Sequence, residues 1–232
     1  MWSSLFQIRA LGTVSPMTDD ITRMAEAWAR IEAWLCEYAP ASAALLRSPA
    51  GEEEIAVLEE EIGLRLPPVL RAWYRLHDGA IGSWPEDDIE EWAVAGWLPM
   101  HRTWLRLEEV RRLYLTQVQD WEREPGLIPI ACNPGDGWYG LYLDAREGEP
   151  TYGNLGTWAV DQESEPLPGG TDGWPLADWL EATAVALEER RCLRMPDGTE
   201  NIHEMPVLNR GGLDWVHART GVEDGMRRLT DL

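Results

Sequence analysis

Apolar residues at Ile21, Met24, Trp28, Ile31, Leu35 and Tyr38 recur at steps of 3, 4, 3, 4 and 3, and no other feature limits the fold of this chain as tightly. The rhythm draws one continuous stripe along an α-helix, and such a stripe has to be buried against another element. Pro40 ends the helix, because it lacks an amide hydrogen and its ring clashes with the preceding turn. Trp28 and Trp34 are read as packing residues. A second helix is expected from Ser48-Pro49, with the serine capping and the proline in the first turn. Glu52, Glu53 and Glu54 lie at its positive end, Ile55, Leu58 and Ile62 form its stripe, and Gly63 supplies a left-handed cap. Pro67 and Pro68 open a third helix with Leu70, Trp73 and Leu76 on one side, closed by Gly79.

The period then changes. Trp97-Leu98-Pro99 begins a strand-like stretch, and Leu105 to Val118 reads as a helix with Leu107, Val110, Leu113 and Tyr114 inward. Short β runs follow at Leu127 to Cys132, Trp138 to Leu143 and Leu155 to Val160. In the second, Tyr139, Leu141 and Leu143 share one face by the two-residue period. Asn133-Pro134-Gly135-Asp136-Gly137 is a tight turn between the first two. A last amphipathic helix follows Trp174-Pro175, with Leu176, Leu180, Thr183 and Leu187 in register. Helices first, strands next and a helix to close make an α+β domain: a mostly antiparallel sheet flanked by N-terminal helices and a closing C-terminal helix. The organisation expected is a flexible segment over 1–19, the α+β domain over 20–192, and a C-terminal extension over 193–232 packed on the domain through Leu213, Trp215 and Val216.

Charge narrows the function. Forty-one acids oppose 20 bases for a net −21, and every base is arginine. Complete replacement of lysine by arginine is the codon signature of a GC-rich genome, so a bacterial source is expected. A surface this negative repels phosphate backbones and anionic lipid faces, which argues against nucleic-acid or membrane binding and towards either a basic partner or solubility alone. No run reaches the roughly 18 apolar residues of a membrane span. The first 17 residues carry Arg9 among apolar neighbours and lack a basic leader and a small-residue cleavage site, so no signal peptide is expected and Met17 is an alternative start. Cys36, Cys132 and Cys192 have no paired spacing, which fits a reducing, cytoplasmic setting.

Catalytic and metal motifs are missing. The four histidines and three cysteines never reach zinc spacing. The 133–137 turn lacks the acidic ladder and distal glutamate of a calcium loop. Phosphate-binding loops and the nucleophile elbow are absent too. His77-Asp78 is read as helix-end pairing near a turn. Neither enzyme activity nor a cofactor is expected.

The run from Ile55 to Gly79, with its glutamate-rich helix, Gly63, the Leu66-Pro67 step and an aromatic-ended helix, resembles the signature opening of the SUKH superfamily. Trp97-Leu98-Pro99, Leu107-Glu108-Glu109-Val110, Leu127-Ile128-Pro129-Ile130, Gly137-Trp138-Tyr139 and the helix after Trp174 follow in the family's order, so the resemblance covers about residues 20 to 190. It implies protein binding. Many bacterial members resemble immunity proteins that neutralise toxins, often nucleases or deaminases, by stoichiometric binding. Fungal members resemble regulators of cell-wall synthesis, and a regulatory or scaffold role with no toxin is the alternative.

Two departures from the family stand out: the tail after residue 194 and the acidic insert. From Trp84 to Trp92 the chain holds five acids and no base between two tryptophans. Trp84, Asp87, Asp88, Glu90, Glu91 and Trp92 are therefore candidate partner-binding residues, the rings to anchor and the carboxylates to steer a basic partner. Asp136 and Trp138, on the tight turn, complete the candidate set. Folding back of the two tryptophans onto the core is the competing reading for that segment.

Overall fold

The computed structural model describes residues 16–82, 94–135, 137–167, 173–219, 222–223 and 225–232. Helix α1 runs Pro16–Tyr38, α2 Pro40–Ala43, α3 Glu52–Ile62 and α4 Pro68–Tyr74. Strand β1 (Thr103–Trp104) precedes α5 (Leu107–Gln119). Then come β2 (Leu127–Cys132), β3 (Tyr139–Asp144), β4 (Asn154–Ala159), β5 (Gln162–Pro166) and β6 (Trp174–Pro175), followed by α6 (Leu176–Glu188). These strands form one antiparallel sheet in the order β1-β2-β3-β4-β5, with β6 also paired to β4. The fold is the α+β arrangement expected from the order of the periods. β7 (Met205–Asn209), β8 (Gly212–Val216) and β9 (Met226–Arg228) make a second antiparallel sheet in the order β8-β7-β9, which the sequence patterns did not indicate.

Three local expectations need correction. Helix α3 starts at Glu52 behind Gly51, not at Ser48-Pro49. Residues 48–50 are extended, because the Ser48 carbonyl accepts the Asp78 amide at 2.9 Å and the Ala50 amide donates to the Tyr74 carbonyl at 3.0 Å. The Glu54 carboxylate instead takes the Gly51 amide at 2.6 Å, occupying one orphan donor. Helix α4 ends at Tyr74, so Gly79 closes a later turn, where its φ of 65° lets the backbone lie against the Leu105 carbonyl. Residues 97–99 do not begin a strand. Leu98 and Arg102 exchange both backbone hydrogen bonds, at 2.9 and 3.1 Å, making a tight reversal with Met100 and His101 in the left-handed region.

The family-like segment has a physical role at Glu59. This side chain is 4% exposed and accepts the Leu66 amide at 3.0 Å, Arg65 at 2.8 Å and Arg71 at 2.9 Å. Burial pushes its carboxyl up, but the amide and the two guanidinium groups outweigh that and hold it below the ordinary glutamate value. Glu59 thus locks the α3–α4 corner around Gly63, whose φ is 70°. Glu59→Gln should lower stability by roughly 1–2 kcal/mol, since a charge-assisted partner is lost while a neutral acceptor remains. Urea denaturation would measure it; an unchanged midpoint would reject this role.

Four buried tryptophans occupy the centre. Trp28 of α1, Trp73 of α4, Trp104 of β1 and Trp97 are each below 2% exposed. Trp73 and Trp104 stack at 3.9 Å and 11°. Trp28 meets Trp73, Trp97 and Trp104 at steep angles, with centroids 5.8, 5.7 and 5.1 Å away. Their indole nitrogens have no hydrogen-bond partner among the described residues, and the rings meet one another in edge-to-face and stacked contacts. His77 completes the group, its ring 5.8 Å from Trp28 and its Nδ1–H donating to the Arg47 carbonyl. His77 and Asp78 lie beyond the end of the helix they were expected to close, and Asp78 instead accepts the Leu107 amide at 2.9 Å, at the start of α5.

Candidate protein-interaction face

The turn expected over residues 133–137 is closed by Asn133. Its amide donates to the Tyr139 carbonyl at 2.9 Å and its Oδ1 accepts the Tyr139 amide at 3.1 Å. The Trp138 carbonyl accepts the Val160 amide at 2.9 Å, which ties the start of β3 to the end of β4. Deeper in the sheet, aromatic rings replace missing side chains across the strands. Gly140 lies opposite Trp158 and Tyr142 opposite Gly156. A Cβ on Gly140 would approach the Ala131 carbonyl and the Trp158 ring, and one on Gly156 would strike the Tyr142 ring. Trp158 is fastened there by its indole N–H, which donates to the Leu141 carbonyl at 3.1 Å. The platform is therefore rigid up to the point where the chain reaches Trp138.

On that platform Trp138 is 62% exposed and Tyr139 43% exposed. Among the described residues only Val57 joins them as an exposed large hydrophobic. Both rings line a groove of about 320 Å³ together with Arg102, Trp158, Glu163 and Glu165. The Arg102 guanidinium carbon sits 4.3 Å from the centre of the Tyr139 ring, a cation–π contact. Arg102 is 6% exposed, and its Nη1 donates to the carbonyls of Met100 and His101. Outside the rings runs β5, almost entirely exposed and paired only with β4 among the described residues. Asp161, Glu163 and Glu165 sit along it and make no ion pair with another described residue. Those carboxylates, with Pro166, also discourage edge-to-edge association of the free strand.

Trp138 is thus brought to an open aromatic groove. Trp84, Asp87, Asp88, Glu90, Glu91, Trp92 and Asp136 lie outside the described residues. Sequence reasoning missed Tyr139, Arg102, Glu163 and Glu165. The two-residue period of β3 groups Tyr139 with buried Leu141 and Leu143 and carries no sign that the strand end is uncovered. Arg102 had no signal, because its contact to Tyr139 depends on the 98–102 reversal.

A second polar cluster joins the two sheets. Glu204, 6% exposed, accepts the Met100 amide at 2.5 Å. Burial pushes its carboxyl up to about 7, against the opposing effects of the Met100 amide, Arg102 and His101. The His101 Nδ1–H donates to Asp214 at 2.6 Å, and Asp214 also accepts the Trp215 amide at 2.7 Å and the Asn209 side chain at 3.2 Å. No group of three or more histidine, cysteine or acidic residues among the described residues is arranged to hold a metal. Cys36, Cys132 and Cys192 form no disulfide among the described residues. No helix among the described residues is long and apolar enough to cross a membrane.

Comparison with known proteins gives one family. The sequence profile of the SMI1 / KNR4 family (SUKH-1) matches residues 49–170, a span that includes α3, α4, α5 and strands β1 to β5. No curated protein matches the chain.

Proposed function

We propose that this chain, which belongs to the SMI1 / KNR4 family (SUKH-1), works without catalysis by holding a basic protein partner on the groove between Trp138 and β5. The observation that carries this reading is the pair of exposed rings, Trp138 and Tyr139, on a strand end held rigid by Asn133 and by the crossed glycine–aromatic pairs. Rigid, accessible aromatics are the usual anchors of protein interfaces, because they bury much area for little lost freedom. Three carboxylates beside them, without an ion pair among the described residues, supply the charge that attracts a basic surface and speeds encounter. Asp87, Asp88, Glu90 and Glu91 would add to the same steering field, and Trp84, Trp92 and Asp136 are proposed as further contacts.

The partner that fits best is a cytoplasmic toxin domain of nuclease or deaminase type, neutralised one-to-one. A nuclease has to carry cations where it holds phosphates, so an acidic, aromatic face complements it and can cover its active surface. Co-expression with any nuclease or deaminase toxin domain found encoded beside this gene tests the reading. The wild-type chain should restore growth, and Trp138→Ala with Tyr139→Ala should weaken the complex by at least about 30-fold, as expected for hot-spot rings costing about 2 kcal/mol. Full protection by the double variant would move the interface elsewhere. A gene neighbourhood without a toxin would favour the regulatory or scaffold role.

A further inference from the structure

Five contacts lead without a gap from the C-terminal segment to the exposed tyrosine. Glu204, just before β7, takes the Met100 amide, and Asp214 of β8 takes the His101 ring. The carbonyls of Met100 and His101 take the Arg102 guanidinium, and that guanidinium lies against the Tyr139 ring. Met100 and His101 have φ of 69° and 52°. Two consecutive non-glycine residues in the left-handed region cost energy and persist only where surrounding contacts over-determine them. The carboxylates of Glu204 and Asp214 are such contacts; Asp214 lies on β8 and Glu204 immediately before β7. The C-terminal sheet is itself fastened to the domain at other points, among them the Ala41 amide, which donates to the Gly211 carbonyl at 3.0 Å. The Leu213 amide donates to the Ser42 hydroxyl at 3.0 Å, and the Trp215 indole donates to the Trp97 carbonyl at 2.8 Å.

We propose that Glu204 and Asp214 are positioning residues for the interaction face: the C-terminal sheet sets the 98–102 reversal, and through Arg102 it sets the Tyr139 ring. The family profile matches residues 49–170, and these two carboxylates lie outside that span. The inference rests on the proposed use of that face, but its structural half can be read without any partner.

The test uses the full chain and follows the ring resonances of Tyr139 by NMR together with amide exchange at residues 98–102. Arg102→Met, which removes the cation from the ring, provides the reference signature. Glu204→Ala and Asp214→Ala should shift Tyr139 towards that reference, and amide exchange in the reversal should quicken at least about tenfold, as for a locally opened segment. Glu204→Gln keeps an acceptor for the Met100 amide and should stay with the wild type. If an alanine variant does not fold, His101→Asn serves, since asparagine tolerates positive φ and is too short to reach Asp214. A purely structural role would loosen β7–β9 and leave Tyr139 unmoved; that result overturns the proposal. A shifted Tyr139 supports it, and unchanged partner affinity in the same variants would then count against the proposed face rather than against the coupling.

Discussion

Trp104→Ala is expected to lower the unfolding free energy by about 3–5 kcal/mol, a large part of what holds a domain of this size together. Trp104 is fully buried, stacks on Trp73, is met edge-on by Trp28 and touches Tyr74. Alanine would leave a cavity at the point where α1, α4 and the first strand of the sheet meet. The surrounding rings cannot collapse into it, since each is pinned by its own neighbours. Removing the stacking partner also forfeits about 0.5–1.5 kcal/mol per aromatic contact beyond buried area. Trp104→Phe keeps a ring in the stack and should lose distinctly less. Guanidinium denaturation followed by near-ultraviolet circular dichroism would report both stability and the packed indoles. Equal losses for alanine and phenylalanine would mean that a ring in the stack does not by itself restore stability, and would reject this account of Trp104.

Stability should also fall as pH rises from 5 to 8, and Glu204→Gln should remove most of that fall. The Glu204 carboxyl is raised from 4.5 to about 7 by burial. Between those values the folded protein keeps a proton that the unfolded chain has released, so raising pH disfavours the fold. The contribution is fully present below the unfolded value and lost as pH passes the folded one. The shift corresponds to about 3 kcal/mol at pH 8, an order-of-magnitude figure. Glutamine stays neutral throughout and can still accept the Met100 amide. The variant should match the wild type near pH 4.5 and exceed it by a few kcal/mol at pH 8. Parallel stability–pH curves for the two proteins would show that Arg102 and His101 already compensate the charge.

Sequence and structure part company at identifiable residues. β2 was legible to the residue, because Leu127 to Cys132 is an apolar run bounded by Gly126 and the Asn133 turn. The stripes of α1, α5 and α6 were equally clear, and their members are inward or at the helix seams. Errors fell where a tertiary hydrogen bond outcompeted a local preference. Ser48 had the chemistry of a cap, but its backbone is committed to Asp78, thirty positions away in sequence. Leu98 had the look of a strand residue, but its partner is Arg102. The sheet after residue 204 escaped notice because β7 to β9 are three to five residues long, too short for alternation to stand out from irregular chain.

The sequence by itself determined the class of fold, the place of most elements, the family and the acidic character. Those properties are local or summed: a period, a turn residue, a count of charges. Only the tertiary structure decided that Tyr139 is open to solvent while Leu141 and Leu143 are not, that Arg102 lies beneath it, and that two carboxylates more than a hundred residues later hold the reversal that carries Arg102. Exposure at a strand end depends on what else covers the sheet, and a contact between distant residues depends on loop closure. Neither leaves a mark on the residues next to it in the chain.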